Sequence, residues 1–289
     1  MSLSMTTETA LDFAQEVPAH APELYQPVGL VEPIDTLAAF DETTLEQYRR
    51  DGFVAVENAF TPQEVQAAKD GMNDLIMGKI EGFTGIQYES KAREILPNLS
   101  LENRLDAVRK FAWFAAYESR LAAMAKHPGL NRILRLILGE TPVMFQDMAL
   151  IKPPKIGVEK PWHQDQAYFD YPIGTRVVGV WIALDEATVD NGCMRFLPGL
   201  HKEGPKLHFK RRDWQICDAE MMGLHPIAAP LKPGGLLLFD GLLPHGTPTN
   251  SSPHRRRAVQ FHYRNESAQK TSTDDRLAIF GSEGKDVSC

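Results

Sequence analysis

The pattern of apolar and polar positions divides the chain at about Pro142. Helix signals dominate before it. Asp41 is placed to cap a short helix through Tyr48, Gly52 ends that helix, and Phe53-Val54-Ala55-Val56 reads as a strand. Thr61, Pro62 and Glu64 make the signature of a capping box with proline at the first helical position, which predicts a helix to about Met77. Two further helices are expected over about 118–126 and 129–138, the second closed by Gly139. The intervening residues 78–112 carry Gly78, Gly82, Gly85 and Pro97 and no sustained period, so they are expected to be irregular and to serve as a lid or binding loop.

Beyond Pro142 the elements become short apolar runs separated by turns. Strands are expected over 143–151, 177–184, 227–231, 236–240 and 257–264. Turn signals stand at Pro153-Pro154, Asn191-Gly192, Pro198-Gly199 and Pro233-Gly234-Gly235. Helices first and many short strands later point to an α+β fold with a mainly β core, a β-sandwich or jelly roll. Residues 1–40 are low in pattern and rich in Pro, Ala and acids. They read as a mobile or surface-draped arm ahead of one domain spanning 41–289.

Composition narrows the class. A chain of 289 residues, 43% hydrophobic and 24% charged, is long enough for a full core and is neither disordered nor fibrous in composition. Its net charge of −7 argues against nucleic acid or an anionic membrane surface as partner. No run approaches the roughly 20 apolar residues of a membrane span, and no basic then apolar leader is visible. The three cysteines, Cys193, Cys217 and Cys289, form no CxxC pair, so a disulfide framework is not expected and a cytoplasmic location is.

Candidate chemistry centres on Trp162-His163-Gln164-Asp165-Gln166. If this stretch is extended, His163 and Asp165 point to one face and their tips can meet at a metal. With 9 histidines and 18 aspartates, a His-x-Asp arises by chance roughly 0.6 times, so the pair alone fits a surface hydrogen bond equally well. His201-Lys202-Glu203 is a weaker rival because it follows a turn. His245, in Pro244-His245-Gly246-Thr247, offers a third ligand, and Gly246 would allow close backbone approach to a bound group. Two histidines and one carboxylate leave metal positions open, the arrangement of non-haem iron(II) oxygenases, whereas structural zinc usually takes a fourth protein ligand. Open positions call for a co-substrate. In Arg255-Arg256-Arg257, alternation puts Arg256, Ala258, Gln260 and His262 on one strand face and Arg257, Val259, Phe261 and Tyr263 on the other. The apolar face should pack on the fold, leaving Arg256 to present its fork to a carboxylate.

In these residues the chain resembles the phytanoyl-CoA dioxygenase family of iron(II)- and 2-oxoglutarate-dependent oxygenases. The matching pieces, in order, are His163-Gln164-Asp165, Val180-Trp181-Ile182-Ala183-Leu184-Asp185 and Asn191-Gly192-Cys193-Met194. Leu197-Pro198-Gly199-Leu200-His201, Lys232-Pro233-Gly234-Gly235, Pro244-His245-Gly246 and Arg256-Arg257-Ala258 follow, and Tyr48 to Val54 looks like the family's opening. The resemblance covers about residues 44–265. It implies a double-stranded β-helix (jelly roll) with flanking N-terminal helices and Fe(II) held by His163, Asp165 and His245. It further implies that Arg256 and Thr247 take the distal carboxylate of 2-oxoglutarate, that Trp181 lies near this co-substrate, and that Gln146 contacts it.

The function so implied is oxidation of a C–H bond in a small-molecule substrate by O2, with 2-oxoglutarate decarboxylated to succinate and CO2. A carboxylate at Asp165 points to hydroxylation rather than halogenation. The alternatives are a jelly-roll binding protein without turnover and a zinc hydrolase with a similar triad. Residues 78–112 and the insert 202–224 match nothing in the family and are where specificity would sit. His208, Lys210, Arg211 and Arg212 could meet an anionic substrate, but an exposed basic loop is the expectation, and Trp162, Tyr168, Phe169 and Trp214 are expected to be packing residues.

Overall fold

Local signals set the helices of the computed structural model, which describes residues 11–281. Helix α1 (Glu42–Asp51) begins where the Asp41 carboxylate accepts from the Thr44 N–H at 2.9 Å, and it ends at Gly52, whose φ is +85°. Helix α2 (Pro62–Ile76) opens with the complete capping box between Thr61 and Glu64. Helices α3 (Ser119–Ala125) and α4 (Pro128–Leu138) follow. On α4, Leu130, Ile133, Leu134, Ile137 and Leu138 form one buried stripe, each side chain contributing about 1.5–3 kcal/mol relative to exposure. Helices α5 (Asp218–Met221) and α6 (Thr273–Phe280) lie late in the chain.

The strands in chain order are β1 (Asp12–Phe13), β2 (Gly29–Leu30), β3 (Ile34–Thr36), β4 (Phe53–Asn58), β5 (Gln87–Tyr88), β6 (Val108–Ala112), β7 (Pro142–Lys152) and β8 (Lys160–His163). They continue with β9 (Val177–Ala183), β10 (Met194–Phe196), β11 (His208–Lys210), β12 (Trp214–Ile216), β13 (Ile227–Ala229), β14 (Leu236–Asp240), β15 (His245–Thr247) and β16 (Arg256–Asn265). A nine-stranded sheet runs β1-β5-β6-β7-β16-β9-β14-β4-β3, and a five-stranded sheet runs β2-β13-β10-β15-β8. One face of the larger sheet packs on the helices through Val54, Val56, Val180, Ile182, Val259 and Phe261. Its other face, with Phe53, Ala55, Trp181, Leu237, Phe239 and Ala258, meets Phe196, Ala228 and Leu243 of the smaller sheet layer. The result is the expected jelly-roll sandwich with helices on one side.

Three expectations are sharpened or corrected. Of the two readings of the arm, residues 11–40 fit the draped one, being docked rather than mobile. β1 pairs with β5, β2 with β13 and β3 with β4, while Leu24, Tyr25, Leu37 and Phe40 are buried. Edge strands of two or three residues show no period, which is why the sequence reads as an arm. Residues 1–10 and Cys289 lie outside the described residues; Cys193 is buried and Cys217 half-buried, both as thiols. Within 78–112, Val108–Ala112 is a strand paired with β7, 78–86 is irregular as expected, and three short 3-10 turns follow β5. Of the four residues expected in an exposed basic loop, Lys210 and Arg211 are exposed, but the insert 202–224 is structured. It forms the β11–β12 hairpin, His208 and Trp214 are buried, and Arg212 pairs with Glu159 and Asp218.

Candidate active site

His163 is the last residue of β8 and His245 the first of β15, and the two are direct partners in the antiparallel ladder. Their ring centroids stand 4.2 Å apart. The stretch is not extended through Asp165. β8 stops at His163, and Asp165 opens a 3-10 turn to Tyr168. The turn still returns the carboxylate to the histidines, with Asp165 Oδ1 3.3 Å from His163 Nε2 and 3.6 Å from His245 Nε2. One ligand atom from each of the three buried residues lies within 4.8 Å of the others. His201 of the rival motif instead lies against the Arg49 carbonyl at 3.3 Å, away from this cluster.

Gln164, the middle residue of the motif, pins the turn. Its side chain donates to the carbonyls of Gly204 and Leu242 at 2.9 and 2.7 Å and accepts from the Lys206 N–H at 2.7 Å. Its backbone N–H donates to His208 Nε2 at 3.1 Å. Gly246, expected to let a bound group approach, instead admits protein. A Cβ there would lie 3.1 Å from the Lys160 carbonyl oxygen and 3.1 Å from the Tyr25 ring. Tyr25 in turn stacks on Trp162 at 5.5 Å, behind the ligand strands.

The hydrogen bonds fix which atoms face inward. His163 Nδ1 lies 2.7 Å from the Pro161 carbonyl and His245 Nδ1 lies 2.9 Å from the Leu243 carbonyl. A carbonyl only accepts, so each Nδ1 carries a proton and each Nε2 is the ring nitrogen turned toward Asp165. Burial, and then the neighbouring His163, hold His245 neutral with a pKa of about 3. Burial opposes the charge on Asp165, but His262, His245 and His163 more than offset it and keep the carboxyl well below its ordinary range. Three buried ligand-type atoms thus converge on one point, and two imidazole nitrogens with one carboxylate oxygen suit iron(II).

Arg256 occupies the face that alternation predicts, buried among the groups between the sheets. Its Nε and Nη1 have no hydrogen-bond partner among the described residues, and its guanidinium sits 5.2 Å from the Trp181 ring centroid. Burial draws its pKa down to about 10. Both neighbours are spoken for. Arg255 forms a two-pronged pair with Asp106 at 2.7 and 2.8 Å, and Arg257 one with Asp185 at 2.8 and 2.8 Å. Trp181 Nε1 is likewise buried and unpartnered. A cavity of about 320 Å³ joins these groups, lined by His163, Asp165, His245, Thr247, Arg256 and Trp181 among others. Glu89, Arg109 and Lys110 of the 78–112 stretch, and Asp213 of the insert, complete its walls.

Gln146 also lines the cavity but not at the Arg256 end. It pairs with His262, whereas Arg256 pairs with Lys152, six strand positions or about 20 Å away. Sequence reasoning placed Gln260 and His262 on the inward face without giving them a role. Both reach the outer oxygen of Asp165, Gln260 Nε2 at 3.1 Å and His262 Nε2 at 2.7 Å. The alternation of β16 was the only signal that could have found them.

Known proteins carry the same architecture. The family model described as phytanoyl-CoA dioxygenase (PhyH) matches residues 48–258. Phytanoyl-CoA dioxygenase domain-containing protein 1 of Rattus norvegicus is 31% identical over 270 residues, 78% of this chain and 90% of that protein. The Danio rerio protein of that name is 25% identical over 261 residues, 75% of this chain and 88% of that one. Among solved structures, EctD from S. alaskensis with 2-oxoglutarate and 5-hydroxyectoine superposes with a TM-score of 0.63 at 22% identity, covering 89% of this chain and 85% of that one. SnoN, an epimerase in complex with Fe3+, alpha ketoglutarate and nogalamycin RO, gives 0.63 at 20% identity, over 81% and 88% of the two chains. Those structural likenesses establish a common fold. With the family model spanning most of its length, the chain belongs to the phytanoyl-CoA dioxygenase family, whose members are 2-oxoglutarate-dependent non-haem iron oxygenases.

Proposed function

We propose that the protein hydroxylates a C–H bond of a small organic substrate, with 2-oxoglutarate converted to succinate and CO2. In this reading His163, Asp165 and His245 hold one Fe(II). The observation that carries it is the meeting of His163 Nε2, His245 Nε2 and Asp165 Oδ1 in one buried cluster, each pair within 4.8 Å. Iron bound there would supply the redox chemistry that couples co-substrate decarboxylation to substrate oxidation.

The chain's own residues do the positioning. Arg256 offers its planar guanidinium, whose Nε and Nη1 are unpartnered, to the distal carboxylate of 2-oxoglutarate, and Thr247, two residues after His245, also lines the cavity. Trp181 backs the guanidinium with its ring face and has an unspent N–H to donate. Gln146 faces the metal end of the cavity rather than the Arg256 end. Met148, Leu150, Phe169 and Met194 line the remaining wall and exclude water from the reacting carbon. No helix among the described residues is long and apolar enough to cross a membrane.

The test is succinate release from 2-oxoglutarate by protein loaded with iron(II), together with metal content. The wild-type protein should release succinate, faster with a true substrate. His163→Ala, Asp165→Ala and His245→Ala should each lose both iron and turnover. Wild-type iron content and rate in all three variants would remove the assignment.

A further inference from the structure

The carboxylate of Asp165 is divided between two jobs. Oδ1 faces the two imidazoles, while Oδ2 is turned away from them and held by His262 Nε2 at 2.7 Å and Gln260 Nε2 at 3.1 Å. A carboxylate oxygen can only accept, so the His262 proton lies on Nε2 and both side chains donate. Neither donor is free to leave. His262 is buried, its ring packed edge to face on Phe169 at 4.8 Å and tilted against Phe145 at 6.1 Å. Gln260 is buried beside it on the same face of β16, which is paired along this stretch with both β7 and β9.

Resting on the proposed metal site, we propose that Gln260 and His262 are positioning residues that hold Asp165 as a one-oxygen ligand and so keep a metal position open for the co-substrate. The reason is arithmetic of coordination. Carboxylates bind metals through one oxygen or two. Two imidazoles and a single oxygen leave half of an octahedral ion free, whereas a chelating carboxylate would take a further position. A 2-oxoglutarate chelate would then fill the ion completely. Tying Oδ2 into two hydrogen bonds from a rigid strand prevents that rotation, because the oxygen would have to give up both donors to reach the metal. The same strand carries Arg256, four residues before Gln260. One backbone therefore sets the distance between the co-substrate's carboxylate fork and the clamp on the metal's carboxylate.

The experiment uses the full chain with Co(II) as a redox-silent probe, read by its visible absorption, which weakens as coordination number rises. 2-Oxoglutarate is titrated into the Co(II)-loaded and the metal-free protein. His262→Phe and Gln260→Leu remove the donors at similar volume, and His262→Gln restores one. Wild type and His262→Gln should show a marked spectral change on titration. His262→Phe should retain Co(II), start from a weaker, higher-coordinate spectrum, and bind 2-oxoglutarate about 10-fold less tightly when metal-loaded but equally well when metal-free. Gln260→Leu should shift the same quantities in the same direction by less, and it carries the test alone if circular dichroism shows that His262→Phe is unfolded. Wild-type spectra and affinities in the donor-deleted variants would overturn the clamp while leaving the metal site standing. Failure of the wild-type protein to bind Co(II) any better than His163→Ala would overturn the metal site, and the clamp with it.

Discussion

His163 and His245 sit on strands of four and three residues in the smaller sheet, whereas Arg256, Gln260 and His262 share one strand of ten residues in the larger sheet. The long strand is paired on both sides, with β7 and with β9, so its side chains are aimed by the ladder itself. The short strands have too few ladder bonds for that. Side chains make up the difference: the three bonds of Gln164, the stacking of Tyr25 on Trp162, and buried Arg195, which donates to the carbonyls of Tyr25, Cys193 and Val189. Ligands on short strands therefore depend on distant neighbours, while ligands on a long strand depend on register.

The arginine triplet gives the sharpest test of the register half of this comparison. Arg256→Ala should raise the apparent Michaelis constant for 2-oxoglutarate roughly 10–100-fold, since a charge-assisted pair contributes about 1.5–3 kcal/mol. Because its fork is buried and unpaired, the same change should not lower the thermal midpoint of the protein without co-substrate. Arg257→Ala should do the reverse, losing about 1–2 kcal/mol of stability, since its half-buried partner Asp185 keeps Lys69, while leaving the constant unchanged. Arg255→Ala should change neither greatly, its pair with Asp106 being partly exposed. A large shift in the constant from Arg255 or Arg257, with none from Arg256, would put the strand register in error by one.

The neighbour-dependent half is tested behind the ligand strands. Gly246→Ala should cost about 1–2 kcal/mol by pressing a methyl group on the Lys160 carbonyl and the Tyr25 ring. It should also loosen the pairing of β15 on β8 and so weaken iron binding. If urea unfolding and metal titration both match wild type, the packing behind the ligands is not what holds them.

A further test comes from acid. Burial keeps His208 neutral to a pKa of about 3, against about 6.5 in an unfolded chain. Between those values the unfolded state binds the extra proton, so stability should fall as pH falls from about 6.5 toward 3. His245 adds to this in metal-free protein, its pKa also being about 3. His208→Gln should flatten the pH dependence of the urea midpoint in chelated protein. An unchanged slope would mean that the hairpin over the ligand turn opens before the rest unfolds.

Several features were legible before any fold was known. The caps at Asp41, Thr61 and Gly139 act over a few residues of backbone, so the sequence determined them by itself. Alternation along β16 separated the three arginines for the same reason, since every pleat reverses the side chain. The kinds of residue able to hold iron were also visible, as His163, Asp165 and His245. Tertiary structure decided the rest. Only the pairing of β8 with β15 brings the two histidines together, and only a turn pinned by Gln164 returns Asp165 to them. Asp106 and Asp185 neutralise Arg255 and Arg257 from distant parts of the chain, leaving Arg256 unpaired. The clamp on Asp165 and the docking of residues 11–40 are likewise contacts between remote segments. Such contacts are set by which surfaces the whole fold buries against one another, and no local window of sequence contains that information.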